Sequence, residues 1–537
     1  MNKKSKKKSD EVASNKSLAG LMGDSSRRSR KKKAKKDSSI SLAEFALIPL
    51  GGDELSDEKT KTSDKSDKSV KVTRDMLTGE QDTALDQMEM FLKSNNRQML
   101  LGGYAGTGKT TIIRMLLDYA NEHDIEVACT APTNEAVRVI AKSTGRRSFT
   151  ATIYSLLGLR LVQEDDRPAK LAAVGESKLA DHELVVIDES SMINTDLFNI
   201  IQEQLAQFSH LKIIYVGDPA QLPPVKDPAG ATVSPVFKLD RNSWAILKEV
   251  QRCTDNNPII QMVTAIRENI KSPHDVFEHV SQYNEESGVG IKFINSKPKE
   301  IKDGFVNRTV YVNDEFMEMM FSDFDNDEFK EDTNFVRALA YTNHRVDELN
   351  TKIRKHLYGN DVASFIPDEV LLVDEPIMHR GQWGDEGIAY TVGERLVIHS
   401  VELAEDDDYG LKYWKMRVEN YEAPYKQRTK MTIQVVHKNF VEEKNIIQSR
   451  LAAEAKEKVK YVKNKGIAWR EFFAFKNRFS SVKYIYATTV HKAQGSTFKN
   501  VYVDDRDMNI LRWSHTERNK LKYVAFTRAS HKLVISD

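Results

Sequence analysis

From Leu77 onward the chain alternates two apolar rhythms. LTGEQDTALDQMEMFLK (77–93) and TTIIRMLLDYANEH (110–123) repeat their apolar residues at helical spacing. Around them stand short, nearly continuous apolar runs: QMLLGGYAG (98–106), EVACTAPT (126–133), ELVVIDES (183–190) and KIIYVGDP (212–219). The first enters a glycine loop and the other three end in polar residues. Strands apolar on both faces and separated by helices predict a parallel sheet, whose sites lie beyond the carboxyl ends of its strands. A second series begins near residue 250, includes FVRALAYTN (335–343), and resumes at VKYIYATTVHKAQG (482–495), NVYVDD (500–505) and KLVIS (532–536). The pattern therefore predicts an α/β chain with two parallel sheets, the second interrupted.

The interruption, 359–481, has a different rhythm. TVGERLVIHSVEL, KYWKMRVENYE and KMTIQVVHKNF alternate apolar and polar residues as antiparallel strands do, which predicts a small barrel. Residues 441–479 then read as two helices with Gly466 near their junction, a hairpin projecting from the barrel. Residues 1–72 follow neither rhythm: rich in Lys, Ser and Asp, they carry too little apolar surface to offset ordering entropy and read as a disordered basic tail. Within it RRSRKKKAKK (27–36) either attracts phosphates or is simply solvated, and SISLAEFALIPL, ending at Leu50, is either a short docking helix for a protein partner or an apolar patch in a linker.

Composition narrows the function classes. A length of 537 residues implies three or four domains or subdomains. Lys+Arg (80) and Asp+Glu (79) nearly cancel, so any surface for nucleic acid must be local. Cys129 and Cys253, far apart in sequence, form neither a disulfide framework nor a zinc site and read as reduced buried thiols. No apolar run approaches the roughly 20 residues of a membrane span. The basic start MNKKSKKKSD lacks a following apolar segment, and the implied compartment is a reducing cytoplasm.

Chemistry concentrates at the strand ends. Gly103, Gly108, Lys109 and Thr110 satisfy the phosphate-loop pattern GxxxxGK followed by Ser or Thr, between a strand and a helix as the motif requires. The turn Ala105, Gly106, Thr107 and the helix start at Thr111 complete the cradle; Lys109 would reach the β/γ oxygens and the Thr110 hydroxyl would ligate Mg²⁺. After the strand VVI, Asp188 is placed to hold Mg²⁺ and Glu189 to orient and deprotonate a water, where an acidic pair could otherwise be a helix cap. Hydrolysis of a nucleoside triphosphate is the implied reaction.

GGYAGTGKT, TAPTNEAV, TIYSLLG, VVIDESSM, VGDPAQLPPV, QRC, TTVHKAQGSTF and YVAFTRAS occur in the order and spacing of superfamily 1 helicases, and the chain most resembles their RecD/Dda-like branch. The resemblance covers 77–537 and implies two RecA-like domains in tandem, 73–149 with 182–240 and 241–358 with 482–537. It further implies a pin subdomain at 150–181, with EDDRPAK (164–170) as its tip, and an SH3-like barrel with helical hairpin at 359–481. It implies that Gln81 recognises adenine, Gln221 senses the γ-phosphate, Gly495 borders the nucleotide, and Arg252 and Arg528 reach the γ-phosphate from the second domain. It implies a polynucleotide track over Thr133, Asn134, Thr152, Tyr154, Thr342, Asn343, Thr489, His491 and Lys492; any one of these could instead be a cap or turn former. Tyr154, Ser190 and Thr497 depart from commoner superfamily 1 patterns, where His, Ala and an acid are frequent. The implied protein is a monomeric, ATP- and Mg²⁺-dependent motor on single-stranded and forked DNA, moving 5′→3′ in replication, recombination or repair, in a bacterial host cytoplasm if phage-encoded. A loading or remodelling factor without processive unwinding, or a motor on RNA, stays open.

Overall fold

The computed structural model describes residues 73–537 except 145–147, 163–165, 167–169, 174, 225–226, 228–231, 251–256, 275–276, 278, 304–305, 381–385, 421–427, 463 and 512–513. The expectations for the tail and its docking segment, for Arg252 and Cys253, and for most of the EDDRPAK tip lie outside the described residues.

The first sheet has six strands, all parallel, in the spatial order Phe149–Thr152, Val127–Ala131, Leu184–Ile187, Lys212–Gly217, Gln98–Gly103, Trp244–Leu247. Its four inner strands are buried on both faces, which is why they read as continuous apolar runs. Met99 and Leu101 face the helices Gly79–Lys93 and Lys109–Glu122, while Leu100, Ile213 and Tyr215 face the helix Thr195–Gln207. The first helix starts where Thr78 accepts the Gln81 N–H and the Gln81 side chain accepts the Thr78 N–H, a reciprocal cap.

The second sheet runs Ala487–Thr489, Val336–Ala340, Phe498–Asp504, Ala529–Ser536, Val289–Ile294, all parallel, with Gln282–Asn284 antiparallel at the edge. Inserted into it is a five-stranded antiparallel sheet: Lys430–Val436, Lys412–Asn420, Arg395–Glu405, Val370–Val373, Val482–Tyr484. The helices Val441–Val459 and Lys465–Lys476 form the hairpin beyond it. In the first half, Leu159–Val162 and Lys170–Ala173 pair as a short antiparallel ribbon, and Lys456 Nζ on the hairpin reaches Asp166 Oδ2 at 2.6 Å.

Two boundaries differ from the sequence expectation. Trp244–Leu247, counted above with the second domain, pairs with Gln98–Gly103 at the edge of the first sheet, because its buried Ala245 and Leu247 complete the cluster under the first helix. Val482–Tyr484 continues directly into the parallel strand yet pairs with Val370–Val373 in the barrel sheet; an apolar run cannot reveal that its two halves serve different sheets. Gly466 lies near the junction of the two helices as expected, in the first turn of the second, where its N–H donates to Oδ1 of the capping Asn464 at 2.9 Å. Among the described residues no helix is long and apolar enough to cross a membrane.

Candidate active site

The carboxyl ends of three contiguous strands of the first sheet, Leu184–Ile187, Lys212–Gly217 and Gln98–Gly103, deliver Asp188–Glu189, Asp218–Gln221 and the glycine loop to one place. A cavity of about 340 Å³ opens there, lined by Ala105, Gly106, Gly108, Lys109, Thr110, Thr111, Asp188, Glu189 and Gln221 from this side. Gly495, Thr497 and Arg528 close it from the second half of the chain.

The loop geometry follows from its glycines. Gly106 and Gly108 adopt φ of +82° and +83°, a region that costs other residues roughly 1–2 kcal/mol. A Cβ on Gly108 would also lie 2.3 Å from Gln81 Nε2. Lys109 Nζ donates to the carbonyls of Gly103 (2.7 Å) and Tyr104 (2.9 Å), which holds the ammonium over the cradle. Thr107 is buried and turned inward, its hydroxyl donating to the Tyr104 carbonyl at 2.9 Å.

Three carboxyl groups meet here, Asp218 buried and Asp188 and Glu189 half-buried, and for each the cost of desolvation outweighs the pull of the nearby cations. Burial pushes Asp188 and Asp218 up. Glu189 is pushed up to about 7, first by burial and then by the neighbouring Asp188 charge, while Arg528 and Lys109 pull the other way. Glu189 also sits at φ +50°, a strained position for a non-glycine residue and one typical of sites that must aim a side chain. Arg528 is buried and held by the Val524 carbonyl at 3.0 Å and the Ser496 carbonyl at 2.8 Å. Gln494 Nε2 crosses between the halves to Gln221 Oε1 (2.9 Å) and Ser191 Oγ (3.1 Å).

The family model described as AAA domain matches residues 76–290, and that described as UvrD-like helicase C-terminal domain matches 484–536. The chain is homologous to superfamily 1 helicases. It is 26% identical over 449 residues to the ATP-dependent DNA helicase dda of Enterobacteria phage T4, covering 80% of this chain and 93% of that protein. It is 33% identical over 192 residues to the ATP-dependent RecD2 DNA helicase of Deinococcus radiodurans, 36% of this chain and 24% of that one. A Pif1 helicase from Bacteroides in complex with ADP-AlF3 and ssDNA is 16% identical, with a TM-score of 0.43 over 86% of this chain and 92% of that chain.

Gln81 does not line the cavity: its Nε2 donates to the Thr107 carbonyl at 3.1 Å, bracing the loop from behind. The residues assigned to the polynucleotide lie apart from this group, at the carboxyl ends of the opposite edge strands of both sheets. Thr133 and Asn134 follow Val127–Ala131, and Thr152 ends its own strand with Tyr154 just beyond. Thr342 and Asn343 follow Val336–Ala340, and His491 and Lys492 follow Thr489. Several double as local caps: Thr133, Thr152 and Thr342 each accept a helix N–H. Asn134 Nδ2 donates to the Val392 carbonyl at 3.0 Å, Lys492 pairs with Asp374, and burial lowers His491, which favours the neutral ring.

Sequence reasoning missed Gln494, Asp218 and Tyr523. Gln494 and Tyr523 stand inside quoted motifs, and Asp218 inside VGDPAQLPPV. Only their meeting across the halves shows what they touch.

Proposed function

We propose that the chain is an ATP-driven motor that steps 5′→3′ along single-stranded DNA and opens duplex ahead of it. The observation that carries this reading is the shared cavity: Lys109, Glu189 and Gln221 of one half and Arg528 of the other face a single volume. A triphosphate seated there would touch both halves, so its hydrolysis would change how they close. Lys109 would hold the β/γ oxygens, Glu189 would take the proton of the attacking water, and Arg528, together with Arg252, would offset charge developing on the γ-phosphoryl group. Gln221, joined to Gln494, would link that event to the second half.

The Thr110 hydroxyl and the Asp188 carboxylate are hard oxygen donors suited to Mg²⁺, and burial pushes the Asp188 carboxyl up, a cost that a divalent cation beside it would relieve. When bound, the ion would neutralise charge on the β- and γ-phosphate oxygens. The hydroxyl and amide groups at the opposite strand ends suit phosphate contacts that position a strand without reading its sequence. The 5′→3′ sense rests on likeness to the RecD/Dda branch, and the DNA track on relatives named as DNA helicases.

The test is ATPase activity with and without oligo(dT), followed by strand displacement on 5′- and 3′-tailed duplexes. Stimulated hydrolysis with displacement from the 5′ tail is expected. Stimulation without displacement would leave a loading factor, and preference for an RNA tail would move the track.

A further inference from the structure

Behind Arg528 a second link joins the two halves. Tyr523, on the helix His515–Phe526, is 1% exposed. Its hydroxyl donates to Asp218 Oδ2 at 2.6 Å and accepts the Ala105 N–H at 3.2 Å. Burial holds Tyr523 well above its ordinary range, so the phenol keeps the one proton that this arrangement needs. Asp218, fully buried, also accepts the Ala220 N–H at 2.9 Å.

The outer turn of the glycine loop thus leans on the opposite half of the molecule. Tyr104 and Ala105 pack against the apolar cluster of the second sheet, and the Arg267 guanidinium lies 3.8 Å over the Tyr104 ring. One step back in the loop, the carbonyls of Gly103 and Tyr104 are held by Lys109 Nζ. A phosphate entering the cradle competes for that ammonium, and the peptide groups it releases are those that orient the Ala105 N–H. At the other end, the Thr527 N–H donates to the Tyr523 carbonyl at 3.0 Å and Arg528 Nε to the Val524 carbonyl at 3.0 Å, so Tyr523 and Arg528 move with one helix end.

We propose that Tyr523 is a positioning residue that transmits occupancy of the glycine loop to the DNA-gripping second half, through the chain Ala105 N–H to Tyr523 O–H to Asp218. This inference rests on the motor reading above. It adds a relay that touches no phosphate: Tyr523 does not line the cavity.

The experiment uses the full chain with Tyr523→Phe, which keeps the ring and removes the hydroxyl. The affinity for fluorescent oligo(dT) is measured with and without a non-hydrolysable ATP analogue. In the wild type the analogue changes DNA affinity; in Tyr523→Phe that change shrinks by about fivefold or more, the lower end of ordinary coupling between sites. Asp218→Asn reduces it similarly, and the double variant loses no more than either alone, as members of one unit do. An unaltered change in Tyr523→Phe, additive losses in the double variant, or a lowered melting temperature with the ratio of the two affinities intact would each overturn the relay. A wild-type chain whose DNA affinity ignores nucleotide would sink the motor reading along with it, whereas a coupled wild type with an equally coupled Tyr523→Phe sinks the relay alone.

Discussion

Glu189 concentrates the chemistry and the cost of the site in one residue. A general base works best with its pKa near the operating pH, and burial with Asp188 beside it pushes this carboxyl up to about 7. Since the ionised form is the one that accepts a proton, DNA-stimulated kcat is expected to fall as pH drops through about 7. Glu189→Gln should lose that limb together with most of the turnover while still binding ATP; a pH–rate series checks both. The same shift sets a stability trend. Between the ordinary value of 4.5 and about 7 the folded chain keeps a proton that the unfolded chain has released, so stability falls as pH rises through that window. Replacement by Gln removes the burden and is expected to stabilise the fold above pH 7, by up to about 3 kcal/mol. Melting temperatures of the two proteins, compared at the two ends of the window, read this directly. Lys109→Ala should abolish hydrolysis with the melting temperature nearly unchanged, because Nζ holds two carbonyls of the loop itself and leaves the packing of the sheet alone.

Among the elements, the glycine loop and its strand–helix setting were legible in the sequence because phosphate binding demands a fixed spacing on a fixed local geometry. What braces the loop was not. Gln81 is separated from Thr107 by a strand, and its bond to that carbonyl exists only because the first helix packs beside the loop. Gly108→Ala is therefore expected to act twice, through the φ of +83° and through the 2.3 Å approach to Gln81 Nε2. ATP affinity should fall by about tenfold or more, the equivalent of roughly 1–2 kcal/mol of left-handed strain, measured with a fluorescent nucleotide. The barrel shows the same division. Its alternating strands were readable, but its anchorage is a buried ion pair between Arg354 on the helix Asn343–Tyr358 and Glu369, at 2.6 and 2.9 Å, with Tyr486 donating to the same carboxylate. Nothing in the spacing of those residues announces a pair. Arg354→Ala leaves a buried carboxylate without its partner and should destabilise the fold by about 3–5 kcal/mol, visible as a large drop in melting temperature.

For the whole molecule, strand order separates the two tasks. In the first sheet the polar nucleotide-facing residues follow the neighbouring strands Leu184–Ile187, Lys212–Gly217 and Gln98–Gly103, while the candidate DNA contacts follow the two strands at the other edge, and the second sheet repeats that edge with Val336–Ala340 and Ala487–Thr489. Every cavity residue and every candidate DNA contact lies beyond residue 72. The tail should then be dispensable for the engine, and deletion of residues 1–72 is expected to leave DNA-stimulated kcat unchanged. The eight basic residues at 27–36 make one further difference measurable. If they touch phosphates, the slope of log affinity against log salt on a single strand is steeper in the full-length chain by about 0.7 for each phosphate they neutralise. If they are only solvated, the slopes of the full-length and truncated chains coincide. Titrations of both proteins with oligo(dT) at several salt concentrations separate the two cases. A fall in kcat at saturating DNA would fit neither, and would mean that part of the motor resides in the tail.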